Sequence, residues 1–126
     1  MIAYLKGKIV FSKPSVVILD VKNVGYKVVV SAVHNFSIGD EVELFIHEHI
    51  REEADDFYGF TKYDELILFE KLISVNGVGP KAGMSIMSVA PAERIVSAII
   101  NEDIAFFMSI SGIGKKVAAK IILDLK

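Results

Sequence analysis

Two short segments, Asn76-Gly77-Val78-Gly79-Pro80-Lys81 and Ser111-Gly112-Ile113-Gly114-Lys115-Lys116, hold the residue types best spaced to do chemistry. In each, two glycines bracket one apolar residue and a lysine follows. The first glycine can adopt the positive φ that ends a helix, and the second can bring bare backbone to the surface just before the next helix. Val78 or Ile113, between them, would plug the turn into a core. A turn of this kind points unpaired backbone N–H groups outward at a helix N-terminus, where an anion such as phosphate fits. Lys81, Lys115, Lys116 and Lys120 would add positive charge beside those amides. Because backbone amides cannot distinguish bases, such contacts would position DNA without reading its sequence.

The two segments are copies. Laying Ser74 on Ser109 brings Ser74–Lys81 onto Ser109–Lys116, and the match continues with Gly83 opposite Ala118 and Ile86-Met87 opposite Ile121-Ile122. The repeated unit is therefore a whole helix–turn–helix element, at about 66–87 and 104–123. Gly83 and Ala118 are small enough to let the paired helices approach, although a glycine inside a helix costs about 0.5–1 kcal/mol relative to alanine. Other glycine chemistries fit less well. A P-loop needs Gly-x-x-x-x-Gly-Lys-Ser/Thr, but Ser109 stands in place of its first glycine and Lys116 in place of its hydroxyl. A dinucleotide fingerprint forced from Gly77-x-Gly79-x-x-Ala82 should follow a strand, whereas Leu66–Val75 reads as helix, and Pro80 removes an amide the pyrophosphate would use. Helix capping alone explains one such turn more readily than two aligned copies with lysines.

These turns need helices, and the second half of the chain supplies them. From Asp64 onward apolar residues recur at three and four, as in Leu66, Phe69, Leu72 and Ile73, then Ile95, Ala98 and Ile99, then Val117, Ile121 and Ile122. Pro91 with Ala92-Glu93 is expected to open one helix from within its first turn. Asn101-Glu102-Asp103 separates it from a short one over Ile104–Met108. The first half has β composition instead, with short runs of Val, Ile, Phe and Tyr between turn residues. Strands are expected over Ile2–Phe11, Val16–Val21, Gly25–Ser31, Glu41–Ile50 and Asp56–Phe60, with Lys13-Pro14-Ser15, Asn23-Val24-Gly25 and Ser37–Asp40 as punctuation. In the fourth, Val42, Leu44 and Ile46 share one face while Glu41, Glu43, Phe45 and His47 share the other. Five short antiparallel strands suit a small closed barrel, most commonly an OB-fold. The expected class is α+β: a five-stranded OB-fold barrel over 1–63, then an all-helical domain over 64–126.

Composition narrows the function classes. The 126 residues are 52% hydrophobic, enough apolar mass for one ordinary domain or two very small ones. With a formal charge of −2, any basic surface must be local. The absence of cysteine excludes disulfides and thiolate metal sites. Lys6 and Lys8 interrupt the apolar N-terminus before a signal-peptide core forms, and no run approaches the roughly 18 residues of a membrane span. A cytoplasmic protein without membrane contact is expected. No nucleophile–base pair, metal cluster or nucleotide loop is legible, so no catalytic residue, metal ligand or cofactor is assigned. His47-Glu48-His49 places two histidines on one strand face without a third ligand. Phe57-Tyr58-Gly59-Phe60 reads as core or interface rather than a base-stacking platform, because its aromatics alternate around the strand. Arg51-Glu52-Glu53-Ala54-Asp55-Asp56 reads most simply as a solvated turn. A divalent-cation site there lacks a spaced partner set.

"NGVGPK" and "SGIGKK" resemble tandem helix-hairpin-helix motifs, the DNA clamps of many repair proteins. The order of "MIAYLKGKI", "VGYKV", "REEADDFYGF", "LFEKLISVNGVGPK" and "ISGIGKKVAAKIILDLK" resembles the RuvA family of bacterial Holliday-junction-binding proteins over essentially the whole chain. That resemblance implies that Asn76, Gly77, Val78, Gly79, Pro80 and Lys81, together with Ser111, Gly112, Ile113, Gly114, Lys115, Lys116 and Lys120, contact DNA. It implies that Glu52 and Glu53 form an acidic pin at the junction crossover. It further implies a non-catalytic homotetramer that holds four-way junctions open and planar for ATP-dependent branch migration by a RuvB-type ATPase in recombination, repair and the SOS response. A RuvC-type resolvase is a further implied partner. Members of the family carry a mobile third domain that engages the motor, and the sequence stops at Lys126, near the end of the second. Motor coupling is therefore not expected of the 126 residues. The rival expectations are an OB-fold and helix-hairpin-helix clamp serving a nuclease or ligase on duplex DNA, and an oligomeric scaffold making only protein contacts.

Overall fold

Five strands precede five helices in the computed structural model, which describes all 126 residues. The strands are β1 (Tyr4–Lys13), β2 (Val16–Val21), β3 (Val24–Val30), β4 (Glu41–Arg51) and β5 (Ala54–Phe60). The helices are α1 (Tyr63–Ile73), α2 (Pro80–Met87), α3 (Ala92–Ile100), α4 (Ile104–Met108) and α5 (Lys115–Leu125). The chain divides into two units, Met1–Leu66 and Ile67–Lys126.

The strands close into a barrel in the order β1-β2-β3-β5-β4. Strand directions can alternate all the way round a closed ring only if the strand number is even. Five strands therefore force one parallel contact, and β3 with β5 supplies it through Val28↔Phe57, Val29↔Tyr58 and Val30↔Gly59. The expected all-antiparallel arrangement fails at this one seam. β1 serves both its neighbours, pairing with β4 over Tyr4–Lys8 and with β2 over Lys8–Lys13. Its register slips between Ile9 and Phe11, a bulge that bends the strand around the barrel. Leu5, Ile9, Val17, Leu19, Val28, Val30, Leu44 and Ile46 fill the interior.

Two hairpins differ from the sequence expectation. Between β2 and β3 the turn is Lys22-Asn23, with φ of 50° and 72°, and Val24 is already paired with Val21. Two central residues at positive φ suit the right-handed twist of a tight hairpin, and Asp20 Oδ1 holds the turn by accepting the Asn23 N–H at 2.8 Å. Between β4 and β5 the ladder runs to Arg51↔Ala54, so the turn consists of Glu52 and Glu53 alone. Ala54 and Asp55, expected in the turn, belong to β5, where Asp55 pairs with Ile50 beside the expected strand residue Asp56, which pairs with His49.

In the helical unit, Pro91 sits at the N-cap of α3 rather than inside its first turn, with φ −60° and ψ 156°. Extended ψ at that residue starts the helix one position later than expected. The short α4 is capped by Asp103, whose Oδ1 accepts the Phe106 N–H at 3.0 Å. Phe69, Leu72, Ile86, Ile95, Phe107 and Ile121 are fully buried and form the centre of this unit. No single helix is long and apolar enough to cross a membrane.

Candidate nucleic-acid interface

The two glycine turns have the same backbone. Gly77 and Gly112 lie at φ 98° and 88°, where a side chain is strained. Gly79 and Gly114 are extended N-caps of α2 and α5, with φ/ψ of −89°/178° and −88°/175°. Their hydrogen bonds also repeat. Val75 N–H donates to Leu72 O and Ile110 N–H to Phe107 O, both at 3.1 Å. Val78 N–H donates to Val75 O at 3.0 Å and Ile113 N–H to Ile110 O at 3.1 Å. Gly83 N–H to Gly79 O and Ala118 N–H to Gly114 O are both 2.9 Å. Even the side-chain bonds correspond, with Ser74 Oγ to Lys71 O at 2.5 Å and Ser109 Oγ to Phe106 O at 2.7 Å.

Burial explains the residues between and beyond the glycines. Val78 and Ile113 are 4% and 5% exposed, each adding about 1.5–3 kcal/mol of apolar burial that pins its turn to the core. A Cβ on Gly83 would lie 2.8 Å from Ile73 Cγ2 and 3.1 Å from the Phe69 ring, so the close approach of α1 and α2 requires the missing side chain. The turns themselves lie close together, since a Cβ on Gly77 would lie 3.5 Å from Val117 Cγ2 in α5.

What faces solvent is polar backbone and lysine. Neither Gly79 nor Gly114 supplies a side-chain cap, so the first-turn N–H groups of α2 and α5 remain open to an external acceptor. A Cβ at either glycine would meet nothing within 4 Å. Asn76, Ser111, Lys81, Lys115 and Lys116 are exposed around these ends. Pro80 occupies the first helical position of α2, so the first turn offers one amide fewer than the second, which has Lys115 there. Lys120 is less free than its spacing suggested, because its Nζ lies 3.4 Å from Asp124 Oδ1. That i,i+4 pair was visible in the sequence. Charge separates between the units: residues 1–66 hold seven basic and eleven acidic side chains, residues 67–126 seven basic and five acidic. The net charge of the whole chain conceals a basic helical unit.

The β4–β5 hairpin concentrates the opposite charge. Glu52 and Glu53 are exposed at its tip. Arg51 does not neutralise them by default, since its Nη2 pairs with Asp56 Oδ2 at 3.0 Å. Lower in the hairpin, buried Glu48 accepts the Ile2 N–H at 2.7 Å. That bond, reinforced by one with Asp55, holds Glu48 below the ordinary carboxylate range. The same contact with Glu48, then burial, pushes Asp55 up. The rings of His47 and His49 lie 6.0 Å apart, but no group of three histidine and carboxylate side chains is placed to hold a metal ion. Phe60 is buried, and Phe57 packs against the barrel interior.

Sequence reasoning passed over one cluster. Glu65, in the first turn of α1, accepts the Thr61 hydroxyl and the Lys62 N–H on Oε1, both at 3.1 Å, while its Oε2 lies 2.9 Å from His34 Nε2. The spacing of Lys62 and Glu65 is half of a capping box and could have signalled the helix start. Nothing local could have signalled His34.

Residues 1–59 match the RuvA N-terminal domain, and residues 69–126 match the SAM-like helix-hairpin-helix tandem. Among curated proteins, the chain is similar to Holliday junction branch migration complex subunit RuvA of Lactococcus lactis subsp. cremoris (strain MG1363), at 39% identity over 99% of this chain and 64% of that protein. The protein of the same name from Desulforamulus reducens is 40% identical over all of this chain and 64% of its own length. That from Geotalea daltonii is 40% identical over all of this chain and 65% of its own length. The chain thus spans just under two thirds of the length of the curated relatives it matches.

Proposed function

The chain belongs to the RuvA family over the two domains it spans, and on that premise we propose that it is a non-catalytic DNA-binding subunit whose ligand is the four-way junction. The observation that carries this reading is the duplicated turn, in which Gly79 and Gly114 each leave an uncapped helix end open to solvent beside exposed lysine. Phosphate oxygens would accept from the amides that follow these glycines, and Lys81, Lys115 and Lys116 would neutralise them. Such contacts hold the backbone of any sequence, which suits a ligand defined by branching.

Selectivity for the branch would come from Glu52 and Glu53. In a homotetramer centred on the crossover, eight such carboxylates would face converging phosphates. A carboxylate and a phosphate about 6 Å apart repel by roughly 3 kcal/mol at an effective dielectric of about 20, and by under about 1 kcal/mol in bulk water. Repulsion of that size opposes stacking of the arms, favours an open planar junction and penalises a linear duplex laid across the centre. ATP-driven branch migration would be the work of a RuvB-type motor in the cytoplasm, with a RuvC-type resolvase acting on the same junction. Binding of four-way junction, linear duplex and single strand, compared at one stated salt concentration, tests the reading. Junction is expected to bind tightest. Equal affinity for duplex would favour a general duplex clamp, and no DNA binding a protein scaffold.

A further inference from the structure

We propose that the cleft between the β1–β2 turn and the loop after β3 is a separate anion site that accepts one phosphate-type group. Its volume of about 240 Å³ lies below the range filled by drug-sized ligands, so it suits a single small group. Its lining carries Lys13 and His34 and no carboxylate. That is a local reversal of sign in a unit with eleven acidic side chains against seven basic.

The cleft is held in shape from both sides. Ser12 Oγ donates to Phe36 O at 2.8 Å, tying the end of β1 to the loop that forms the opposite wall. His34 is fixed by Glu65, which is only 12% exposed and lies 2.9 Å from Nε2. An ionised carboxylate can only accept, so Nε2 is the donor in that bond. Nδ1 is then the ring nitrogen left for a ligand, and in the imidazolium form it donates as well. Lys13 has no carboxylate partner and extends over the Phe11 ring, 5.7 Å from its centroid, which leaves its ammonium group available to an anion at the cleft mouth. Asn35 adds an amide side chain to the same lining. Lysine and amide donors, joined by His34 Nδ1 in the imidazolium form, around a small cleft lined by no carboxylate are the chemistry of phosphate recognition, whether the group is a DNA backbone phosphate or a free phosphate.

The test is a titration of the 126-residue chain followed by amide NMR, using inorganic phosphate, chloride at matched ionic strength, and four-way junction DNA. Saturable shifts confined to residues 12–14 and 32–36 with phosphate, absent with chloride, establish the site for free phosphate. The same shifts with junction DNA alone assign it to backbone phosphate. In either case Lys13→Gln, at an exposed position that leaves the His34–Glu65 contact intact, should weaken the response at least fivefold, and His34→Gln should abolish it. Absence of localised shifts with both probes, or shifts indifferent to Lys13→Gln, overturns the proposal. The junction reading would survive that failure, since it depends on the hairpins and on DNA affinity measured separately.

Discussion

Gly79 and Gly114 are not held as glycine by backbone strain. Their φ of −89° and −88° suits any residue, and a Cβ there would meet nothing within 4 Å. Under the proposed DNA-binding reading, the reason for glycine lies outside the folded chain, where a phosphate would approach the open amides. Valine at either position should fold unchanged, with a melting temperature within a few degrees of the parent by circular dichroism, yet lose at least tenfold in junction affinity, about 1.4 kcal/mol. Parent-like binding by both folded variants would remove the hairpins from the DNA interface. Gly83 calls for the opposite result. Alanine there gains about 0.5–1 kcal/mol of helix propensity, but its Cβ is driven against Ile73 and the buried Phe69 ring, and overpacking of this kind costs about 1–3 kcal/mol. Net destabilisation of about 1 kcal/mol is expected in chemical denaturation. At this scale the sequence was informative, because positive φ at Gly77 and Gly112 and burial of Val78 and Ile113 follow from local pattern. The need for a small residue at Gly83 was legible from the repeat as well, but the partners that enforce it, Ile73 and Phe69, were not, since they come from another helix.

Among the elements, the β4–β5 hairpin departed furthest from expectation, and the cause is pairing. Four carboxylates within five residues read as a solvated loop, yet the ladder extends to Arg51↔Ala54 because Asp56 finds Arg51 and Asp55 finds Glu48. Those contacts set a pH dependence with two opposing parts. Glu48, held low, contributes stability that is present above the ordinary carboxylate range and is lost as pH falls through its lowered value. Asp55, pushed up, binds its proton more firmly folded than unfolded, so stability is lost as pH rises from the ordinary range through its raised value. Asp55→Asn retains a donor toward Glu48 and removes the second charge. It should raise the melting temperature at pH 7 and have little effect at pH 4, and an equal gain at both would show that charge is not the cause. The tip is expected to act on DNA rather than on stability. Glu52→Gln with Glu53→Gln should leave the melting temperature unchanged while lowering the junction-to-duplex ratio in competition binding, because duplex gains most when the repulsive centre is neutralised. An unchanged ratio would make the tip an ordinary solvated turn.

For the whole molecule, a net charge of −2 is a poor guide to how it would meet a polyanion, because the basic excess is confined to residues 67–126. The barrel's closed topology was legible in outline from the strand count, and its one parallel seam follows from closing an odd number of strands. The separation of charge emerges only once the fold assigns side chains to units. Two hairpins per chain and four chains per junction would place eight turns on DNA, each displacing about one counterion. The slope of log K against log salt should then be near −7, despite the acidic overall charge. Gly114→Val should bring the slope to about half that value by silencing one hairpin of each pair, whereas Glu52→Gln with Glu53→Gln should leave it nearly unchanged, since the tip contacts no phosphate to neutralise. Fluorescence anisotropy with labelled junction across a salt series measures all three proteins on one scale. A parent slope shallower than about −2 is too small for eight phosphate contacts and would return these turns to protein-only contacts. A steep parent slope that Gly114→Val leaves intact would locate the DNA contact elsewhere on the helical unit.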